Sequence, residues 1–219
     1  MGLTQRLHFL SAIGGPLNFS FKSGHFWSAL KSRAVDRRGR ALPWYTYPMI
    51  EYLSQLDFSD ADVLEFGGGQ STMWWCERAK SVTTLESNSA WQAELARRTT
   101  GRATVLKVAS PADAARRLGI QNFDVIVVDD GSASGPGGRV DNARTAFSRL
   151  KPGGLIVVDN SDAGYTHPIS LEANQAGWAR IDFIGLVPGS FGVSCSSLLF
   201  RDTPARLRPA SPPRIELGG

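Results

Sequence analysis

Branched apolar runs alternate with amphipathic stretches from Asp62 onward, and the first run leads into Val63–Thr72, VLEFGGGQST. A short apolar run closing on an acid, three glycines in a row and then a Ser-Thr pair predict a buried strand, a tight turn and a helix start. Glycine lets backbone approach a ligand without a Cβ in the way, and a helix N-terminus offers free N–H groups to an anion. The stretch therefore marks a nucleotide-type pocket, and the remaining pattern decides its architecture.

Strand-like runs are expected at Val63–Phe66, Val82–Glu86, Ala103–Val108, Phe123–Asp129 and Leu155–Asp159. Helical stretches fall between them, at Ser71–Ala79, Ala90–Arg98, Pro111–Leu118 and Arg139–Leu150. Strand alternating with helix at this spacing means βαβ units and a parallel sheet. After Asp159 come a helix (Ile169–Ala176), a strand (Arg180–Ile184), the loop LVPGSFG and a strand (Val193–Phe200). The last two strands lack an intervening helix and should pair antiparallel. The fold class is thus α/β: a seven-stranded, mostly parallel sheet with helices on both faces and its last strand antiparallel.

Three segments are expected: an N-terminal helical and aromatic cap (1–60), a core (61–202) and a disordered tail (203–219) holding four prolines from Thr203 onward. In the cap, Gly24–Ala34 and Tyr47–Leu56 read as short helices. Between them LPWYTYP places Trp44, Tyr45 and Tyr47 either in the core or in a lid over an apolar substrate. The two cysteines, Cys76 and Cys195, match no metal spacing and read as buried free thiols of a reducing cytoplasm. No run is long and apolar enough to span a bilayer, and the start MGLTQRLHFLSAIGG lacks a secretory h-region. The net charge is +4, and Lys31, Arg33, Arg37, Arg38 and Arg40 cluster ahead of the glycines. A solvated face, an anionic-substrate edge and nucleic acid all fit that cluster. The absence of a basic stripe with regular aromatic interleaving puts nucleic acid behind the other two.

The dinucleotide fingerprint calls for a third glycine where this chain has Thr72, and an acid, Glu65, stands two residues before the first glycine. An acid there suits a cofactor with an ammonium group and no pyrophosphate, as in S-adenosylmethionine (SAM). Glu86 ends the next strand 21 residues after Glu65, where an acid can take both ribose hydroxyls of an adenosine. With VLEFGGGQST, VTTLESN, FDVIVVDDG and LKPGGLIVVDN in this order, the stretch from Asp62 to Phe200 resembles the class I SAM-dependent methyltransferases, which are Rossmann-like. The resemblance implies that LKPGG is a helix end followed by a glycine turn. It also implies that Glu65, Gly67 and Gly69 line the methionine portion of SAM and that Ser71 and Thr72 meet its carboxylate. By the same resemblance Glu86 holds the ribose, Ser110 lies on the adenine side, and Asp129 sits over the methyl donor.

Asp129 with Asp130, and Asp159 with Asn160, end neighbouring strands and should share one rim beside the cofactor. Oxygen ligands from Asp129, Asp159 and Asn160 suit Mg²⁺, an arrangement that resembles the metal-dependent catechol-type O-methyltransferases. Those enzymes place a lysine base where this chain has Ser132, so metal-assisted and metal-free readings both stay open. His167, in DNSDAGYTH, is the leading candidate for a general base, beside the alternative of a surface loop histidine; His25 and Tyr165 rank behind it. The expected activity is O-methylation of a small-molecule hydroxyl, on an acceptor with an apolar or aromatic part, with Phe183–Phe191 as a further wall. N-methylation of protein or RNA and SAM binding without catalysis are the alternatives. No membrane partner is expected, and a homo-oligomer is left open.

Overall fold

The computed structural model describes residues 3–130, 138–202, 215 and 217. Three helices come first: α1 (Leu3–Lys22), α2 (His25–Lys31) and α3 (Tyr47–Leu53). The alternating region then runs β1 (Asp62–Phe66), α4 (Gln70–Cys76), β2 (Ser81–Glu86), α5 (Ser89–Thr99), β3 (Thr104–Lys107), α6 (Pro111–Leu118) and β4 (Phe123–Val128). It closes with α7 (Arg139–Arg149), β5 (Leu150–Val158), α8 (His167–Gln175), β6 (Ala179–Leu186) and β7 (Val193–Phe200).

These strands form one sheet in the order β3-β2-β1-β4-β5-β7-β6. β1, β2, β3, β4 and β5 pair in parallel, and β7 runs antiparallel to both β5 and β6. The topology is the one the sequence predicts. Successive residues of a strand face opposite sides of a sheet, so a strand covered on both faces must be apolar throughout. Val63, Val125 and Val157 accordingly join one buried cluster, with Trp74, Trp75 and Tyr45. Leu64, Ile126 and Ile156 join the other, with Ala143, Ala146 and Ile169.

One expectation needs correcting. The LKPGG segment is not a helix end and glycine turn. α7 stops at Arg149, β5 already begins at Leu150, and the register with β4 shifts between Phe123 and Val125, close to Gly153 at φ +71°. The helical expectation for the N-terminal segment is met first by α1, a 20-residue helix that contains Pro16. Gly14, Gly15 and Pro16 interrupt the helical pattern in sequence and hide it. The aromatic segment divides between its two alternatives: Tyr45 and Tyr47 are buried, whereas Trp44 stays 52% exposed. Residues Tyr45, Tyr47, Met49, Ile50 and Leu53 share a core cluster with the strands, so this part of the N-terminal segment is built into the body.

Both helix tryptophans are buried. Trp75 meets Trp74 edge-on at 4.8 Å and Phe58 at 5.0 Å, and its Nε1 donates to Tyr45 Oη at 3.3 Å. Of the expected 203–219 tail, positions 215 and 217 are described, and Leu217 N donates to Glu51 Oε2 at 3.0 Å; the rest, like the 131–137 loop with Ser132, lies outside the described residues. Cys195 is buried and Cys76 half-buried, both as free thiols. Among the described residues no helix is long and apolar enough to cross a membrane.

Trp75 fills the seam between sheet and N-terminal segment and is fully buried. Trp75→Ala is expected to cost about 3–5 kcal/mol, the usual range for removing a buried aromatic. Urea denaturation should show it as a lowered midpoint at unchanged slope.

Candidate active site

Parallel pairing continues one step past the strand ends. Gly67 N donates to Leu85 O at 2.9 Å, Asp129 N to Phe66 O at 3.1 Å, and Asp159 N to Val128 O at 3.2 Å. The glycine turn and the two acidic strand ends are therefore held side by side on one rim. A cavity of about 1050 Å³ opens there, lined on the sheet side by Gly67, Gly69, Ser71, Asp129, Asp159 and Asn160.

The turn depends on glycine at its first position. Gly67 has φ +87°, and a Cβ added there would stand 2.5 Å from Asp129 O. A side chain would meet both backbone strain and the neighbouring strand end. At Gly68 a Cβ would fall on Leu95 and Thr84, so this residue packs tightly on its inner side. Trp91 Nε1 donates to Gly68 O at 2.7 Å, and Glu86 accepts from Gly68 N (3.3 Å) and Asn88 N (2.7 Å). Glu86 and Trp91 thus hold the turn from the β2–α5 connection.

Several expected site residues sit elsewhere than the sequence suggests. Glu65 does not face the cavity: it is fully buried below the turn, where its Oε2 accepts from Thr84 Oγ1 at 2.9 Å and its Oε1 has no hydrogen-bond partner. Burial raises its carboxyl to about 7, opposed by the hydroxyls of Thr72, Ser71 and Thr84. Thr72 is also fully buried, its Oγ1 accepting from Gly69 N at 3.1 Å. Ser110 is the N-cap of α6, receiving Asp113 N at 3.2 Å, and lies off the cavity wall. His167 opens α8 as an exposed residue and does not line the cavity either, so the structure does not support it as the base.

The metal expectation is corrected by a residue that sequence reasoning missed. Arg139, only 6% exposed, lays its guanidinium against two of the three side chains assigned to Mg²⁺, those of Asp129 and Asn160, and against the Asp159 carbonyl. Its Nη2 meets Asp129 Oδ1 at 3.0 Å, Nη1 meets Asn160 Oδ1 at 3.0 Å and Asp159 O at 2.6 Å, and Nε meets Asp130 O at 2.6 Å. Asp159 turns its Oδ1 to Ser196 Oγ at 2.7 Å. A guanidinium satisfies with fixed N–H donors what a dication would satisfy by coordination, and both cannot occupy one place. The donor set does not fit Mg²⁺ in this arrangement. The available signal was an arginine opening the helix after the acidic strand end, at the far side of the GSASGPGG loop.

The same cluster raises its carboxyls. Burial first, then the neighbouring Asp159 charge, pushes Asp129 well above the ordinary carboxylate range, with Arg139 pulling the other way. Burial raises Asp159 to about 6 against the Ser196 hydrogen bond and Arg139.

The far wall comes from α2 with its following turn and from the β6–β7 loop. Trp44 Nε1 donates to Pro188 O at 3.2 Å, and Gly189 N to His25 Nδ1 at 3.3 Å. From the expected Phe183–Phe191 wall, positions 187–190 line the cavity, while Phe183 packs on Tyr52 and Phe191 is 98% exposed.

A family model described as a methyltransferase domain matches residues 64–161. A search of curated proteins finds no match. Among solved structures, the O-methyltransferase from Bacillus cereus in complex with SAH is similar at 17% identity and TM-score 0.55, over 83% of this chain and 98% of that one. The precorrin-6y C5,15-methyltransferase from Geobacter metallireducens is similar at 14% identity and TM-score 0.56, over 78% and 98%. An rRNA methylase from Streptococcus thermophilus is similar at 11% and 0.51, over 69% and 94%. At these identities the likeness shows the fold, and it spans proteins with different acceptors.

Glu65 gives a pH prediction. Its carboxyl is raised from 4.5 to about 7, so the folded state holds the proton more tightly than the unfolded chain does. That contribution is present below pH 4.5 and is lost as pH climbs through about 7, by on the order of 3 kcal/mol. Asp159 acts with the same sign towards pH 6. Thermal melts of the ligand-free protein should fall in Tm from pH 5 to 8, and Glu65→Gln should flatten that fall and melt higher at pH 8. The Arg139 geometry predicts that turnover is unchanged by EDTA; loss on chelation and recovery with Mg²⁺ would contradict it. Arg139→Met, which leaves Asp129 and three other oxygens without their donor, should destabilise by about 3–5 kcal/mol in denaturant titration.

Proposed function

We propose that the chain is a class I SAM-dependent methyltransferase that methylates the hydroxyl of a small molecule, a reading supported by the methyltransferase-domain model matched at residues 64–161. The reading rests on one observation above the rest. Asp129 stands on the cavity wall beside the glycine turn, and its carboxyl is raised well above the ordinary range.

SAM, when bound, supplies an electrophilic methyl group. The glycine turn fits such a cofactor because Gly67 and Gly69 leave backbone open to the cavity, with Ser71 beyond them at the start of α4. Glu65, fully buried below the turn with its carboxyl raised to about 7, sets the polarity beneath the site without facing it. Glu86 and Trp91 fix the turn and flank the adenosine end. Ser110 has no part in this arrangement.

A hydroxyl attacking a methyl group must lose its proton, and a base works best when its pKa lies near working pH. Asp129, whose burial raises its carboxyl, is the acid on the cavity wall placed to accept that proton. Arg139 holds Oδ1, which leaves Oδ2 to accept the hydroxyl proton and aims the carboxylate along the rim. The guanidinium also keeps the ionised form accessible, so the base is tuned between burial and its cation. Bringing acceptor oxygen, base and methyl group together on one rim supplies the remaining rate by proximity and alignment. No step runs through a divalent ion. Two cysteines left as free thiols suit a reducing cytoplasm.

Isothermal titration should show binding of SAM and S-adenosylhomocysteine and none of NAD; the reverse pattern would sink the reading. On a hydroxylated acceptor selected from a panel, Asp129→Asn should lower kcat by about 100-fold or more, the scale of a lost general base. His167→Ala should leave the pH–rate profile in place.

A further inference from the structure

The turn after α2 stands on the far wall as a rigid and uncompensated pair of cations. Ser28 Oγ, buried, donates to Val35 O at 2.8 Å and accepts from Val35 N at 2.9 Å, which closes the turn on itself. Gln70 Nε2 donates to Ala34 O at 2.8 Å, tying it to the start of α4 next to the glycine turn. Gly189, at φ +75°, seats the β6–β7 loop against Ala29 and Ser28 so closely that a Cβ would stand 2.8 Å from backbone. Ser32 holds the left-handed conformation at φ 48°, and Lys31 and Arg33 flank it on the cavity wall.

Among the described residues neither Lys31 nor Arg33 forms an ion pair or a side-chain hydrogen bond. The acid nearest in sequence, Asp36, is already satisfied by Arg40 Nε at 2.6 Å and by the amides of Arg38 and Arg40. The other two cavity cations are also engaged: Arg139 with the strand-end oxygens, and Arg98 with Gln70 Oε1 at 2.7 Å. The cavity's carboxylates, Asp129 and Asp159, stand on the strand-end side, beside Arg139 and Ser196. Field lines from two unpaired cations on a concave wall concentrate in the cavity and draw an anion into it. Arg33 adds a planar fork that matches carboxylate or phosphate oxygens two at a time. Trp44, held to Pro188 O and half exposed on the same wall, offers a flat apolar surface beside them.

We propose that the methyl acceptor is itself an anion, a hydroxylated small molecule whose carboxylate or phosphate is engaged by Lys31 and Arg33 while its body lies against Trp44. This rests on the methyltransferase reading above and narrows its acceptor. It divides the cavity by charge: the acid-rich strand ends take the hydroxyl and the sulfonium, and the basic turn takes the opposite end of the acceptor. Such polarity orients an acceptor before reaction, with its hydroxyl towards Asp129.

The test uses the full chain saturated with S-adenosylhomocysteine, which by binding or not binding settles the cofactor reading first. Isothermal titration then compares three matched probes: catechol, 3,4-dihydroxybenzoate and 3,4-dihydroxyphenyl phosphate. The acids are expected to bind at least about 10-fold tighter than catechol at low salt, with the advantage shrinking as salt is added. The ratio between carboxylate and phosphate identifies the preferred anion. Lys31→Ala/Arg33→Ala, two exposed positions, should abolish the advantage while leaving S-adenosylhomocysteine affinity within about 2-fold. Equal binding of all three probes, or an advantage that survives the double substitution, overturns the proposal. So does a large loss of S-adenosylhomocysteine affinity in the double variant, which would assign the cations to the cofactor's own carboxylate. A single-stranded RNA oligomer that displaces the acids and loses its binding in the double variant would overturn it in favour of a nucleic-acid acceptor.

Discussion

Three acidic side chains meet at the C-terminal edge of β1, β4 and β5 because parallel pairing carries the ladder one step beyond each strand. Asp129 and Asp159 share the rim, and Glu65 lies directly beneath the glycine turn. Burying like charges together is unfavourable unless protons or cations relieve it. The chain uses both remedies. Glu65 and Asp159 have raised carboxyls, and Arg139 brings a fixed charge to the oxygens of Asp129, Asp130, Asp159 and Asn160. Because Arg139 opens α7, the helix after β4 is anchored to the end of β5 as well as to its own strand. The guanidinium is therefore a structural tie between two strand ends and a tuning charge for the acid that faces the cavity.

The cost of this arrangement is visible in Glu65 Oε1, a fully buried oxygen without a partner. Native interiors leave few such groups. That oxygen is a buried polar atom whose desolvation is not offset by a hydrogen bond, and it is one reason the Glu65 carboxyl is raised.

Much of this was legible in the sequence because the signals were local. Branched apolar runs ending in glycine or acid mark parallel strands leading into a pocket, and the missing helix between the last two runs marks the antiparallel pair. The glycine turn, Asp129 and Asp159 were placed by the same logic. What the sequence hid depends on contacts between distant segments. Arg139 reads as an ordinary surface residue at a helix start until the turn of α7 swings it across two strand ends. The resemblance implies pocket roles for Thr72 and Glu65, yet both are fully buried beneath the turn. LKPGG reads as a stop signal, while the register shift lets the strand run through it. Which of Trp44, Tyr45 and Tyr47 would face outward had no periodic signature at all.

The N-terminal segment shows how the far wall of the cavity can change while the acidic rim stays put. Tyr45, Tyr47 and Met49 are buried in the same cluster as the strands, so they fix where the preceding turn must lie. Thr46 N donates to Ser196 Oγ, and Ser196 Oγ in turn donates to Asp159, which links the segment's position directly to the acidic rim. With the backbone so held, Lys31, Arg33 and Trp44 project from a scaffold whose stability does not depend on their identity. They can change at little energetic consequence, as exposed side chains generally can. Asp129 and Arg139 cannot, since they are bonded to each other and to the neighbouring strand ends.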